Sequence, residues 1–527
     1  MDINLGSAAL RQFLQPLQVD NEKIHKLSHL FYSNFQHLAI HAGDQFLATP
    51  ISESILRPVT QRGHGSGGTN LRVGFIELEG KDIPHTNGLA SSTTPATNGT
   101  TPALRLKERS WPIDDHRKAN DDESDPQPQR LFDWFGDRIA SVVRSACEEW
   151  NLPRDEELPL GITFSFPMVQ HSISDATVMT MGKGFSIKGN AELGPLLLRG
   201  YQKARDADER PLPPIRIAAI SNDTVSTLIS FIYLFDESTH KKASMGLIVG
   251  TGCNATIPLP ISSLGSAKHP TSVSTLPGES ANDIRIAVNT EWSIRGTAPP
   301  LRELGLIAKW DSALDAALVG PNEIAGFQPL EYMTAGRYLG ELGRLMLVDY
   351  LQTILNYDVS SLPSSLLVRY GLTTTFLSHF RPLESSTLLL KLEKEFPVEA
   401  DSSFSWTPQI AVALYHIAKA IQIRAAGIVA AATLALLKLA GDIPPPTSAS
   451  GLTPTRELGV GYTGGCISHF QDYLADTQTF LDEVIKSEFQ DRPAPVRVVL
   501  TPCHDGGIKG AGILAAAATG ASQTSGS

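Results

Sequence analysis

The sequence predicts an α/β protein, with strands and helices in layers and more than one core. Three observations carry this reading. Short apolar strands alternate with helical stripes along the chain. Glycine-rich turns stand where several of those strands end. The chain has 527 residues, 42% of them hydrophobic, whereas a single core rarely grows past about 300 residues.

The elements follow in order. Residues 70–79, NLRVGFIELE, read as a strand. Leu131, Trp134, Phe135, Ile139, Val142, Val143 and Ala146 share one helical stripe, which predicts a helix over 131–150. Residues 161–167 (GITFSFP), 215–220 and 245–250 are short apolar strands, and 225–234 read as helix. Residues 496–500 form another strand, followed by DGGIKGAGILAAAA, a glycine-rich turn entering a helix. Three polar stretches punctuate the chain: 81–130, 442–458 and the tail 519–527. The first, rich in Ser, Thr, Pro, Asn and charge, is expected to be a partly disordered loop that folding does not need.

Composition narrows the function. The net charge of −11 argues against nucleic acid or an anionic membrane surface as main partner. Cys147, Cys253, Cys466 and Cys503 form no CxxC pair or Cys/His cluster with ligand spacing, so neither a disulfide framework nor a zinc site is expected. The first twenty residues lack the basic start and apolar run of a secretory signal. The longest apolar run, 425–437, has 13 residues, against the roughly 20 of a membrane span, and is expected to be a buried, Ala-rich core helix. The resulting expectation is a cytoplasmic protein.

Four segments place glycines where a strand meets a turn: HGSGGTNLRV (64–73), GLIVGTGCNATI (246–257), GVGYTGGC (459–466) and DGGIKGAG (505–512). Glycines let backbone N–H groups approach an anion, and a following helix adds its dipole. Singly, each is only a turn. No GxxxxGK[ST] phosphate loop is present.

In combination, and in order from residue 31 to 518, these segments resemble the eukaryotic hexokinases. GGTNLRV resembles the family's first phosphate loop and GLIVGTGCNA its second. LPLGITFSFPMVQHSIS with GKGF resembles the sugar segment, and SNDTVSTL the catalytic Asn-Asp-Thr turn. NTEW (289–292) and LEYMTAGRYLGELGRLMLVDY (330–350) complete the sugar side. The resemblance implies a two-lobed, hexokinase/actin-like (ribonuclease H-like) α/β fold around a deep cleft. Residues 1–57 would hold the N-terminal helix of the large lobe, 58–224 the small lobe and 225–504 the large lobe. Residues 505–527 would return a C-terminal helix to the small lobe.

The resemblance also implies ATP-dependent phosphorylation of a hexose at its primary hydroxyl, with Mg²⁺. Asp223 would be the base, although its position equally suits the N-cap of the helix that follows. Lys183 would place positive charge near the transferred group. The sugar would meet Ser165, Lys183, Asn222, Asp223, Asn254, Glu291 and Glu331. The nucleotide would meet Gly67, Gly68, Thr69, Asn70 and Arg72, then Thr251 and Gly252, Thr374 and Ser378, and Gly464 and Gly465. Thr374 and Ser378 also fit an ordinary polar loop.

The sequence departs from the family at three points. The first loop has Gly65 where the family has an Asp that helps hold Mg²⁺. The sugar segment reads Met181-Gly182-Lys183 where the family has Trp-Thr-Lys. The adenosine segment reads Thr463-Gly464-Gly465 in place of Asp-Gly-Ser. No residue is assigned as a metal ligand. The losses fall on metal and nucleotide, so two functions stay open: a hexose kinase of low activity, or a sugar-binding regulator. The polar insertions would suit a regulatory protein partner.

Overall fold

The computed structural model describes residues 8–56, 65–66, 71–78, 104–113, 129–179, 191–235, 238, 240–276, 278–280, 284–318, 324–381, 385–446, 455–490 and 492–524. The N-terminal segment forms helices α1 (Ala8–Leu14) and α2 (Asn21–His41) and strand β1 (Leu47–Ser52). Asp20 caps α2 by accepting the Lys23 N–H at 2.7 Å. Ile24, Leu27, Phe31, Phe35 and Leu38 form the buried face of α2, at the spacing of an amphipathic helix.

The small lobe contains β2 (Gly65–Ser66), β3 (Leu71–Leu78), β4 (Leu104–Trp111), α3 (Gln129–Glu149), β5 (Leu158–Phe164), α4 (Leu193–Asp206) and β6 (Ile215–Asn222). Its sheet runs β4-β3-β2-β5-β6. The β4/β3 and β3/β2 pairs are antiparallel, whereas β2/β5 and β5/β6 are parallel. Helices α3 and α4 pack together and bury Phe132, Phe135, Ile139, Leu196 and Leu197 in this lobe's core.

Strand β4 corrects the expectation that 81–130 is a loop. It pairs with β3 over eight positions, from Leu71↔Trp111 to Leu78↔Leu104. The strand escapes a pattern reading because it is an edge strand with charged residues at 105 and 107–109, and charge is how sheets blunt their edges. Those charges have local partners. Arg105 lies over the Trp150 ring at 4.5 Å, Lys107 pairs with Glu149, and Arg109 donates to Ser141 and Ser145 at 3.3 Å each. Residues 81–103 and 114–128 of this insertion, and 447–454 of the second, lie outside the described residues.

The chain then crosses on α5 (Asp223–Leu234) into the large lobe. That lobe contains β7 (Lys241–Val249), β8 (Cys253–Pro260), β9 (Arg285–Asn289), α6 (Gly336–Thr353), α7 (Pro408–Leu439), β10 (Arg456–Thr463), α8 (Tyr473–Glu488) and β11 (Val496–Pro502). Its sheet runs β1-β9-β8-β7-β10-β11. Without β1, the order and directions repeat those of the small lobe: an antiparallel trio, then two parallel strands. After β11 the chain enters α9 (Gly506–Thr524), which packs on β2, β5 and β6 of the other sheet. Helix α5 does the reverse, leaving β6 to pack on β7. The two helices also pack on each other and share an apolar core that includes Leu228, Ile232, Ile508 and Leu514.

Helix α7 contains the apolar run read from the sequence. It is long and apolar enough to cross a membrane, yet 89% of its most apolar window is buried inside the protein. Arg424 on α7 is fully buried and forks onto Asp311 with bonds of 2.7 and 2.8 Å, which satisfies a charge that the interior would otherwise not tolerate. All four cysteines are free and buried.

Candidate active site: the cleft between the lobes

Between the lobes lies a cavity of about 650 Å³. Ser165, Asn222, Asp223 and Arg72 reach it from the small lobe and the crossing helix. Thr251, Gly252, Asn254, Glu291, Glu331, Gly464 and Gly465 reach it from the large lobe. Eleven residues assigned from sequence therefore share one cavity.

The turn from β6 into α5 places Asp223. The helix cap is Asn222, whose Oδ1 accepts the N–H of Thr224 at 2.9 Å and its hydroxyl at 2.5 Å. Asp223 is thus the first helical residue and not the cap. Its Oδ2 accepts the Ser165 hydroxyl at 2.6 Å, and its Oδ1 shares the Thr224 N–H at 2.9 Å. Both oxygens are fixed at the cavity wall.

The large-lobe wall is a connected set of amides and carboxylates, joined to the first by the Thr224 hydroxyl, which also reaches Asn289 Oδ1 at 3.4 Å. Asn254 Nδ2 donates to Asn289 Oδ1 at 2.9 Å and to Glu291 Oε1 at 3.2 Å. Asn289 Nδ2 donates to the same Glu291 oxygen at 2.8 Å. Glu291 has φ +44°, a left-handed backbone that costs a side-chain residue of order 1–3 kcal/mol, and is 8% exposed. The two amide donors hold it there. Glu331, 6% exposed, accepts the Cys253 N–H at 3.3 Å. Gly252 permits this approach, since a Cβ there would stand 3.1 Å from Glu331 Oε2. Burial pushes the Cys253 thiol up to about 12, and burial together with Glu331 raises the Tyr338 phenol, so both stay neutral.

The phosphate side is built of turns. The Gly250 and Thr251 carbonyls accept the first N–H groups of α6, from Gly336 at 2.8 Å and Arg337 at 3.1 Å, which anchors the β7–β8 turn. Gly464, at φ +120°, lies against this turn; a Cβ there would come within 2.3 Å of the Val249 carbonyl. Arg72 Nη1 pairs with Asp505 Oδ1 at 2.9 Å across the lobes. Gly65 sits in β2, opposite Gly74 of β3 and Gly161 of β5.

Thr374 and Ser378 are not among the cavity residues. They lie in the short helix Thr374–Ser378, where the Thr374 hydroxyl accepts the Gly340 N–H at 2.7 Å and the Ser378 hydroxyl donates to Thr375 O at 2.8 Å. Lys183, Gly67, Gly68, Thr69 and Asn70 fall outside the described residues. Sequence reasoning missed Asn289, which binds two of the predicted residues, and Asp505, at φ +57° beside Arg72. Both stand inside motifs already singled out, in NTEW and DGGIKGAG.

Family models described as hexokinase match residues 9–233 and 244–517, nearly the whole chain. The chain belongs to the hexokinase family. Hexokinase-1 of Nicotiana tabacum is 29% identical over 458 residues, covering 85% of this chain and 78% of that protein. Hexokinase-2 of Solanum tuberosum is 27% identical over 457 residues, with the same 85% and 78% coverage. A solved hexokinase from Schistosoma mansoni, complexed with glucose, has a TM-score of 0.72 at 22% identity, over 97% of this chain and 98% of that one. At that identity the match establishes the fold: two α/β lobes around a cleft, as in hexokinases.

Proposed function

We propose that this hexokinase-family chain phosphorylates a hexose at its primary hydroxyl, with ATP as donor and Asp223 as base. One observation carries the reading. Asp223 with its Ser165 partner faces the Asn254–Asn289–Glu291 network and Glu331 across a single cavity. A sugar presents a ring of hydroxyls, each a donor and an acceptor, and a wall of carboxylates and amides matches it. The solved relative that holds glucose makes glucose the first hexose to test.

The chemistry needs few covalent partners. Asp223 takes the hydroxyl proton as the sugar oxygen bonds to the γ-phosphorus and the β–γ bridging oxygen leaves with ADP. Ser165 fixes the carboxylate's orientation. Glu291, Glu331 and Asn254 hold the sugar's other hydroxyls, which aligns the reacting one. Thr251 and Gly464 border the phosphate side. Lys183 adds positive charge in the role that the family resemblance implies.

The donor set at the cavity suits Mg²⁺, which prefers oxygen ligands. The Thr251 hydroxyl at the cavity wall would hold it together with the nucleotide's phosphates, which leaves Asp223 to act as the base. The ion neutralises phosphate charge when bound. Gly65 offers no carboxylate here, so the set is one charge poorer than the family pattern.

A coupled assay with glucose, fructose and mannose, on protein free of host hexokinase, tests the proposal. Calorimetry with glucose accompanies it. Turnover together with millimolar or tighter glucose binding is expected. Glucose binding with no turnover would make the chain a sugar-binding regulator. ATP·Mg binding without hexose binding would overturn the assignment of the cavity.

A further inference from the structure

We propose that His25, His29 and Glu488 form a site for a borderline divalent metal ion of the Zn²⁺ type, on the large lobe and apart from the cleft. His25 and His29 are one turn apart on α2, at the flank of its buried face, with side chains 25% and 53% exposed. Glu488 is the last residue of α8. His25 Nε2 lies 2.8 Å from Glu488 Oε2, His29 Nε2 lies 3.2 Å from the same oxygen, and the two Nε2 atoms are 3.1 Å apart. Three ligand atoms thus converge on one point.

The size of this triangle matters. Zinc bonds to imidazole nitrogen and carboxylate oxygen are about 2.0–2.2 Å, so neighbouring ligand atoms in a tetrahedral site lie roughly 3.3 Å apart. The observed edges of 2.8, 3.1 and 3.2 Å need only a slight opening to admit the ion. Without an ion, the two ring nitrogens stand 3.1 Å apart with Glu488 Oε2 as their shared neighbour. A cation among them satisfies both nitrogens and the carboxylate together. Imidazole selects a borderline metal over Mg²⁺ or Ca²⁺.

The surroundings leave room. Lys438 donates to Glu488 Oε2 at 2.7 Å, and among the described residues no hydrogen bond reaches Oε1. Oε2 is also the oxygen that the two imidazoles face, so the carboxylate would turn about its terminal bond to leave Oε2 with the ammonium and bring Oε1 to the metal. The Glu488 side chain is 8% exposed and that of His29 53%, so protein walls one side and water reaches the other for a fourth ligand. The ion would clamp the N-terminal helix to the end of α8. The cysteines and their spacing give no hint of such a site, because its ligands come from two distant helices.

The experiment uses the full chain without an affinity tag, stripped with chelator and titrated with Zn²⁺ against a chromophoric competitor, with thermal melts alongside. One Zn²⁺ per chain and a rise in melting temperature are expected, with no rise for Mg²⁺. His29→Ala should weaken Zn²⁺ at least tenfold and leave the metal-free melt unchanged, because the side chain is exposed. His25→Ala provides a second variant. The double change His37→Ala/His41→Ala removes the other one-turn pair on α2, whose rings are 4.4 Å apart, and should leave the affinity intact. No stoichiometric binding, equal affinity in His29→Ala, or loss only in the His37/His41 variant would each overturn the site.

Discussion

The two lobes repeat one strand order and end it with the same residue type in different company. In the small lobe, β6 leads into Asp223 and the crossing helix α5. In the large lobe, β11 leads into Asp505 and the crossing helix α9. Both aspartates line the cavity. Asp223 accepts a hydroxyl from Ser165, whereas Asp505 accepts the guanidinium of Arg72. A neutral donor orients a carboxylate and leaves its charge for the ligand. A cation neutralises that charge and turns the carboxylate into a tether between the lobes. The same topological position thus serves as base in one lobe and as strut in the other, and the partner decides which.

The largest effect should fall at Asp223. Asp223→Ala should lower hexose turnover by about 10²–10⁴-fold, the usual contribution of a positioned base, and leave the melting temperature nearly unchanged. A coupled assay checks it. Activity within tenfold of the parent would place the base elsewhere and break the comparison.

That comparison was only half legible in the sequence. The alternation of strand and helix gave the layers, and the ordered motifs gave Asp223, Asn254, Glu291 and Glu331. The duplication was hidden, because its evidence lies in pairing. Strand β4, the counterpart of β9, has charges at 105 and 107–109 and reads as solvated loop until its cross-strand partners on β3 are known. Asn289 is not legible in the sequence because its role depends on its contacts with Asn254 and Glu291 in space. Thr374 and Ser378 show the converse: hydroxyls in a plausible segment turn out to be engaged by their own helix and by α6.

The next effect is on the sugar wall. Glu291→Gln keeps the shape, removes the charge and turns one acceptor oxygen into an NH2 donor. Losing a charge-assisted contact costs roughly 1.5–3 kcal/mol, or ten- to about a hundredfold in hexose affinity. Glucose calorimetry should show this weakening, with ATP affinity unaltered. An equal loss for both ligands would mean that Glu291 supports the whole cleft and not the sugar alone.

A gain should follow at Gly65. Gly65→Asp supplies the carboxylate that the family places in the first phosphate loop. Gly65 pairs as a strand residue with Gly74 on one side and Gly161 on the other. Mg²⁺-dependent turnover should rise at least tenfold, equivalent to about 1.4 kcal/mol. A side-by-side Mg²⁺ titration of parent and variant measures it. A folded variant with unchanged Mg²⁺ dependence would show that Gly65 is not the bottleneck.

The smallest effect should come from Asp505→Asn, and it tests the comparison most directly. The Arg72 and Asp505 side chains are 36% and 40% exposed, and an ion pair so open to water contributes about 0–1 kcal/mol. If Asp505 is a tether, its loss should lower turnover by no more than about fivefold and leave the Mg²⁺ requirement where it was. Rising salt should shrink the difference between parent and variant, since screening weakens the pair in the parent alone. The opposite result is equally definite. A tenfold rise in the Mg²⁺ needed for half-maximal turnover would mean that Asp505 holds the metal in place of the carboxylate missing at Gly65. Arg72 would then be its guard and not its partner. In that event Gly65→Asp should rescue Asp505→Asn, because either carboxylate would serve the same ion.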